Sequence, residues 1–271
     1  MAERTKEMPL PLSREELVKE LGHLGVKEGQ IIEVHADLSA FDFVIGGART
    51  VVDALLETAG RNGTILMAGE TKDNSEPSEW DSSKCEPYMY KSIREAIPPY
   101  DSRNSDLSDR GAITENFRHR SGVVTTSHPQ VSYAAWGRYA KLLCNHQSLN
   151  YPLAEESPAA RIYELKGYAL LMGCDFDSLT SLHLAEYRTD DRPIHIGGAC
   201  VSTAGGPQWR SYLDLHLDSK DFINVKNIML KKNMIRQAVI GGCRCMFFPI
   251  VPAIDEATRW LENNSIYELY R

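Results

Sequence analysis

The 271 residues include 42% hydrophobic side chains, enough to bury a sizeable core, which excludes wholesale disorder. A formal charge of −7, from 37 acids against 30 bases, disfavours a nucleic-acid partner held through its phosphates and favours a cationic one. No apolar run approaches the ~20 residues that span a bilayer, no signal-like segment opens the chain, and the six cysteines form no C-x-x-C pair, so a cytoplasmic protein with free thiols and no membrane partner is expected.

Ser13-Arg-Glu-Glu16 is a capping box for an amphipathic helix with Leu17, Leu21 and Leu24 on one face and Gly25 as its stop. Gln30 to His35 reads as a strand, Gly46-Gly47 precedes a helix over Ala48 to Thr58, and Gly63 to Ala68 is a second, buried strand. Such a β-α-β unit pairs its strands in parallel through a right-handed crossover. Glu70 to Pro87 is acidic and reads as a surface loop, in which Trp80 is a candidate wall for a ligand. Helices follow at Met89 to Ile97 and Ile113 to Arg118, then Gly122-Val-Val-Thr125 and a strand over Val131 to Trp136. Tyr139 to Asn145 and Ser157 to Leu165 read as helices, the second with Pro158 at its first position.

Tyr168 to Met172 is a buried strand, and the stretch from Asp177 to Arg188 reads as a helix leaving the sheet's carboxyl edge, where open α/β sheets bind ligands. Ile196 to Thr203 and Gln208 to Leu217 pair around Ala204-Gly-Gly-Pro207. A charged helix from Asp218 to Lys232, one apolar strand from Ile235 to Ile250 and a helix from Ala253 to Asn263 complete the chain. The expected fold is α/β, a mixed central sheet flanked by helices, in one domain over residues 1–271 with a helical start and a β-rich part from residue 194. Nothing in these patterns speaks to the number of subunits.

In a helix, His183, Glu186 and Tyr187 share a face, a compact kit for moving a proton. An imidazole titrating near neutral pH suits general-base work, with Glu186, Glu156 or Asp214 as the carboxylate that fixes its tautomer. A histidine hydrogen-bonded within the core is the bland alternative. A metal site is not expected, because no third ligand has partner spacing. The acids Glu79, Glu155, Glu156, Asp175, Asp177, Glu186, Asp190 and Asp191 compose a rim suited to a polycation, although Asp177 reads equally well as a helix cap. The turn from His35 to Ser39 and Gly46-Gly47 before a helix offer amides for phosphate or pantetheine groups.

Tyr168-Ala-Leu-Leu-Met-Gly, Ser181-Leu-His-Leu-Ala-Glu-Tyr-Arg188, Val34-His-Ala-Asp-Leu-Ser39, Gly46-Gly-Ala48 and Ser127-His-Pro-Gln-Val-Ser-Tyr-Ala-Ala135 resemble, in the same order, motifs of the aminoglycoside 3-N-acetyltransferase family. The resemblance runs from residue 14 to the final helix. It implies an α/β sandwich distinct from the small N-acetyltransferase fold, acetyl-coenzyme A as cosubstrate, and His183 as the base. It implies donor contacts at His35, Ala36, Asp37, Leu38, Ser39, Gly46, Gly47, Ser127 and His128, and at Arg110, which sits where the family often has Thr-Arg-Gly. Glu79, Trp80, Glu155, Asp175, Asp177 and Glu186 would hold the amine. Departures occur at Ala36-Asp37, where the family has two serines, and at Ala68-Gly-Glu-Thr71.

The implied activity is acetylation of the 3-amino group of 2-deoxystreptamine aminoglycosides, which removes a charge and weakens the drug's grip on ribosomal RNA, hence resistance. Rivals are a biosynthetic N-acetyltransferase for another small amine, a non-catalytic polycation binder, and a hydrolase using Cys174 or Ser181, neither of which sits in a Gly-x-Ser-x-Gly elbow.

Overall fold

The structure, a computed structural model, describes residues 11–71, 74–81, 83, 85–107, 111–190 and 192–264. Helix α1 (Arg14–Leu24) starts at Ser13, whose hydroxyl accepts from the Glu16 amide while the Glu16 carboxylate accepts from the Ser13 amide. Gly25 ends it at φ 116°, a left-handed conformation that glycine adopts freely. Leu17, Leu21 and Leu24 are buried, each stabilising the fold by about 1.5–3 kcal/mol relative to exposure.

The chain continues through β1 (Ile31–Ala36), α2 (Ala48–Ala59), β2 (Thr64–Glu70), α3 (Tyr90–Ala96), α4 (Gly111–Arg118), β3 (Val124–Thr125), β4 (Val131–Gly137), α5 (Ala140–Leu143), α6 (Pro158–Glu164) and β5 (Tyr168–Met172). Then come α7 (Leu184–Tyr187), β6 (Ile194–Thr203), β7 (Gly206–Leu215), α8 (Phe222–Lys231), β8 (Arg236–Ile240), β9 (Cys243–Pro249) and α9 (Ile250–Asn263). Seven strands form one sheet in the order β3-β4-β2-β1-β5-β9-β8. Its centre, β2-β1-β5, is parallel as the β-α-β reading requires, and β4 and β9 run antiparallel on either side. The hairpin β6-β7 forms a separate two-stranded sheet.

All of β1 is buried, so its alternation decides which layer each side chain meets. Ile32, Val34 and Ala36 pack with Leu17, Val51 and Phe117 of α1, α2 and α4. Ile31 joins Ile162, Phe222 and Ile254 in the opposite layer, and Glu33 and His35 share its face. A carboxylate and an imidazole are thereby turned into the layer that carries His183.

Two expectations are corrected. The stretch from Ile235 to Ile250 is two antiparallel strands, because Gly241 and Gly242, at φ 53° and 81°, form a reversal that needs positive φ at both positions. The stretch from Asp177 to Arg188 is not one helix: 3-10 turns at Phe176–Ser178 and Thr180–His183 precede α7, with the extended Leu179 (φ −78°, ψ 98°) between them. The acidic surface loop after β2 is anchored to the hairpin at its start. Asn74 exchanges two 2.8 Å hydrogen bonds with the main chain of Cys200 on β6, and Thr71, Asn74 and Ser75 are buried. Among the described residues no helix is long and apolar enough to cross a membrane.

Candidate active site

His183 ends the second 3-10 turn, and α7 begins at the next residue, so the three-residue spacing still brings Glu186 back to it. The Nδ1 proton of His183 is donated to Glu186 Oε2. Glu186 is wholly buried, and its other oxygen accepts from Arg192 Nε and from the Asp218 amide at 2.9 Å. Arg192 is itself buried, with Nη2 donating to the Asp218 carbonyl at 3.3 Å. Removing one partner of such a buried pair costs about 3–5 kcal/mol, because the other is left as an uncompensated charge. With the proton held on Nδ1, the His183 Nε2 lone pair is the basic site, and no hydrogen bond within the described residues occupies it. The ring packs against Phe222 with centroids 5.0 Å apart.

Facing this dyad is a wall built by the β6-β7 hairpin. Its register sets His195 directly opposite Asp214. The Tyr187 hydroxyl donates to Asp214, whose pKa is raised by burial against the opposing effects of that hydroxyl and of His195 and His183. The His195 and His216 rings stack with centroids 4.4 Å apart, and His195 Nε2 lies 3.7 Å from Glu79 Oε1 on the anchored loop. Burial also raises the Glu79 pKa, with His195 opposing. Tyr212 packs over Gly197, where an added Cβ would come within 2.8 Å of its ring. The Tyr212 hydroxyl and His195 Nδ1 are buried without a hydrogen-bond partner, a costly state that a ligand's hydroxyl or amine would relieve.

The remaining expected residues disperse. Glu156 is exposed and lies 3.6 Å from His146, so it is not the partner of His183; Asp214 is engaged by Tyr187, which leaves Glu186 in that role. Glu155 pairs with Arg188 on the surface at 2.7 Å. Trp80 is half-buried and donates its indole N–H to Ser75 Oγ at 2.7 Å. Asp190 lines a 300 Å³ cavity with Tyr151 and Tyr187. Asp175, rather than Asp177, caps the first 3-10 turn and pairs with Lys226; Asp177 is exposed. Arg110 and Asp191 lie outside the described residues.

Around the exit of β1, the Asp37 carboxylate fills its own turn by accepting from the Ser39 amide and hydroxyl, each at 2.8 Å. Gly46 and Gly47, at φ 81° and 60°, lead into α2, whose first turn has no side-chain cap. A 730 Å³ cleft opens beside Ala40, Gly173, Cys174, Lys226 and Arg244. Ser127 is exposed on another cleft of 810 Å³. His128 does not fit the expected donor contact. Burial lowers its pKa to about 4, Nδ1 accepts from the Val131 amide at 3.0 Å, and Nε2 donates to the Leu149 carbonyl at 3.2 Å, leaving neither nitrogen for a ligand.

Sequence reasoning missed Arg192, His195 and Glu33. Glu33 is wholly buried on β1 and accepts from His35 Nε2 at 2.9 Å, from the Ser181 hydroxyl and from the Ser181 amide at 3.3 Å. A single acid inside the apolar run Ile31-Ile-Glu-Val34 was the available signal. The same contacts weaken the hydrolase reading: the Ser181 hydroxyl is buried against a carboxylate rather than a base, and burial pushes the Cys174 thiol up to about 11. No group of three or more potential metal ligands occurs among the described residues.

The sequence model of the aminoglycoside 3-N-acetyltransferase family matches residues 34–262. The SPbeta prophage-derived aminoglycoside N(3')-acetyltransferase-like protein YokD of Bacillus subtilis (strain 168) is 32% identical over 255 residues, 94% of each chain, and its crystal structure superposes with a TM-score of 0.92 over 96% of both. Aminoglycoside N(3)-acetyltransferase VIII of Streptomyces fradiae is 34% identical over 216 residues, 76% of this chain and 72% of its own. The solved binary complex of AAC-IIIb with CoASH is 28% identical with a TM-score of 0.84, over 94% of this chain and 97% of that one.

Proposed function

Because this chain belongs to the aminoglycoside 3-N-acetyltransferase family, we propose that it transfers an acetyl group from acetyl-coenzyme A to the 3-amino group of a 2-deoxystreptamine aminoglycoside, with His183 as general base. The observation that carries this reading is the buried Arg192-Glu186-His183 relay, which leaves a basic Nε2 beside an acid-lined wall with unsatisfied polar atoms.

His183 Nε2 takes a proton from the attacking amine as its nitrogen bonds to the acyl carbon. Glu186 stabilises the imidazolium so formed, and Arg192 keeps that carboxylate in place. The same imidazolium returns the proton to the departing sulfur as the carbon–sulfur bond breaks, so the amine loses one proton and the thiol gains it. Glu79 and Asp214 hold ammonium groups that do not react, and Tyr212 and His195 meet hydroxyls. Acetyl-coenzyme A supplies the activated acyl group. The uncapped start of α2, the turn at His35–Ser39 and the cleft beside Lys226 and Arg244 suit its anionic and amide groups, with Asp37 as the element that fits least.

The reading is tested by drug-dependent thiol release from acetyl-coenzyme A over a panel of 2-deoxystreptamine compounds. His183→Ala is expected to lower kcat about a thousandfold. Binding of the panel without turnover would convert the protein to a polycation binder, and turnover of only other small amines would make it biosynthetic.

A further inference from the structure

We infer that Glu33 is a positioning residue that ties the His183 segment to the central strand, an inference that rests on His183 being the base. The segment cannot hold itself. It consists of a 3-10 turn, Thr180–His183, whose hydrogen bonds are poorly aligned, followed by α7, only four residues long and below the length at which a helix is stable alone. Tertiary pins must therefore fix the imidazole. Glu186, backed by Arg192 and the Asp218 amide, is one pin, on the hairpin side.

Glu33 is the other, on the sheet side. Its carboxylate takes both the amide and the hydroxyl of Ser181, two residues before His183, and His35 Nε2, two residues before the Asp37 turn. One side chain thus joins the turn proposed for the acyl donor to the turn that carries the base. An apolar side chain here would leave the buried Ser181 amide and hydroxyl and His35 Nε2 without their acceptor, so it is these contacts, not apolar packing, that call for an acid.

The full-length enzyme is assayed for kcat and KM with both substrates as wild type, Glu33→Gln, Glu33→Asp, Ser181→Ala, His183→Ala and the Glu33→Gln/His183→Ala double variant. Glu33→Gln is expected to lower kcat about 10- to 100-fold with KM for the amine within about twofold, as for a base displaced by an ångström, and Glu33→Asp to recover part of the loss. The double variant should be no slower than His183→Ala, and the ¹⁵N signals of the His183 ring should move in Glu33→Gln. A wild-type kcat in Glu33→Gln, or an equal further slowing on top of His183→Ala, overturns the inference. If Glu33→Gln does not fold, Ser181→Ala decides by the same criteria, with a smaller expected fall and an unchanged kcat counting against. Full turnover by His183→Ala removes the base assignment itself, whereas a large loss there beside an unaffected Glu33→Gln removes only the pin.

Discussion

On the hairpin side of His183, the Tyr212 hydroxyl and His195 Nδ1 are buried and unbonded and two carboxylates have raised pKa values; at the exit of β1, the Asp37 carboxylate is engaged by the Ser39 amide and hydroxyl of its own turn. A surface with desolvated, unanswered polar groups is set for a ligand that brings donors, acceptors and charge, while a turn closed by its own side chain must be opened or bypassed. The hairpin wall proposed for the acceptor is thus preorganised for a polycation, whereas the turn proposed for the acyl donor is occupied by its own Asp37 carboxylate.

The largest test of that contrast is Asp214→Asn, expected to raise KM for the amine about tenfold, since a hydrogen bond to a charged group is worth ~1.5–3 kcal/mol. Its pH companion has opposite signs for binding and folding. Both Asp214 and Glu79 have raised pKa values, so ammonium binding should fail, as pH falls, sooner than with ordinary carboxylates. Stability of the free protein moves the other way: the contribution of a raised carboxylate is present below its unfolded pKa and lost as pH rises through the folded one. Calorimetry in buffers of different ionisation enthalpy should show proton release when the drug binds near that pH, and release at no pH would break the contrast.

A smaller effect is expected from Asp37→Ser, which removes one exposed negative charge yet keeps a hydroxyl for the Ser39 amide. KM for acetyl-coenzyme A should fall about threefold, the scale of a single surface charge. Smallest is Tyr212→Phe. Deleting an unbonded buried hydroxyl should leave the melting temperature of the free protein unchanged or raise it, while KM for the amine rises about twofold. A fall in melting temperature would mean that the hydroxyl is already answered in the free protein.

Much of this was legible in the chain itself. The Ser13–Glu16 box, the leucine spacing and Gly25 mark α1 through local physics, and the His183–Glu186 spacing survived the change from a full helix to 3-10 plus α because a three-residue offset meets itself in both. What stayed hidden depends on distant pairing. His195 meets Asp214 only through the β6-β7 register, Arg192 reaches Glu186 only once the chain turns after α7, and Glu33 meets Ser181 across 148 positions. Gly241-Gly242 marks a hairpin reversal, but the apolar residues on both sides of it read as one continuous strand.

The complete burial of Glu186 has a consequence for how ions act on this enzyme. Its counter-charge is the buried Arg192, so mobile salt reaches neither member of the pair, whereas Glu79 stands partly in solvent within reach of a screening atmosphere about 8 Å deep at physiological ionic strength. Added salt should loosen the grip on a cationic drug while the proton-transfer step, sealed from the same ions, keeps its pace.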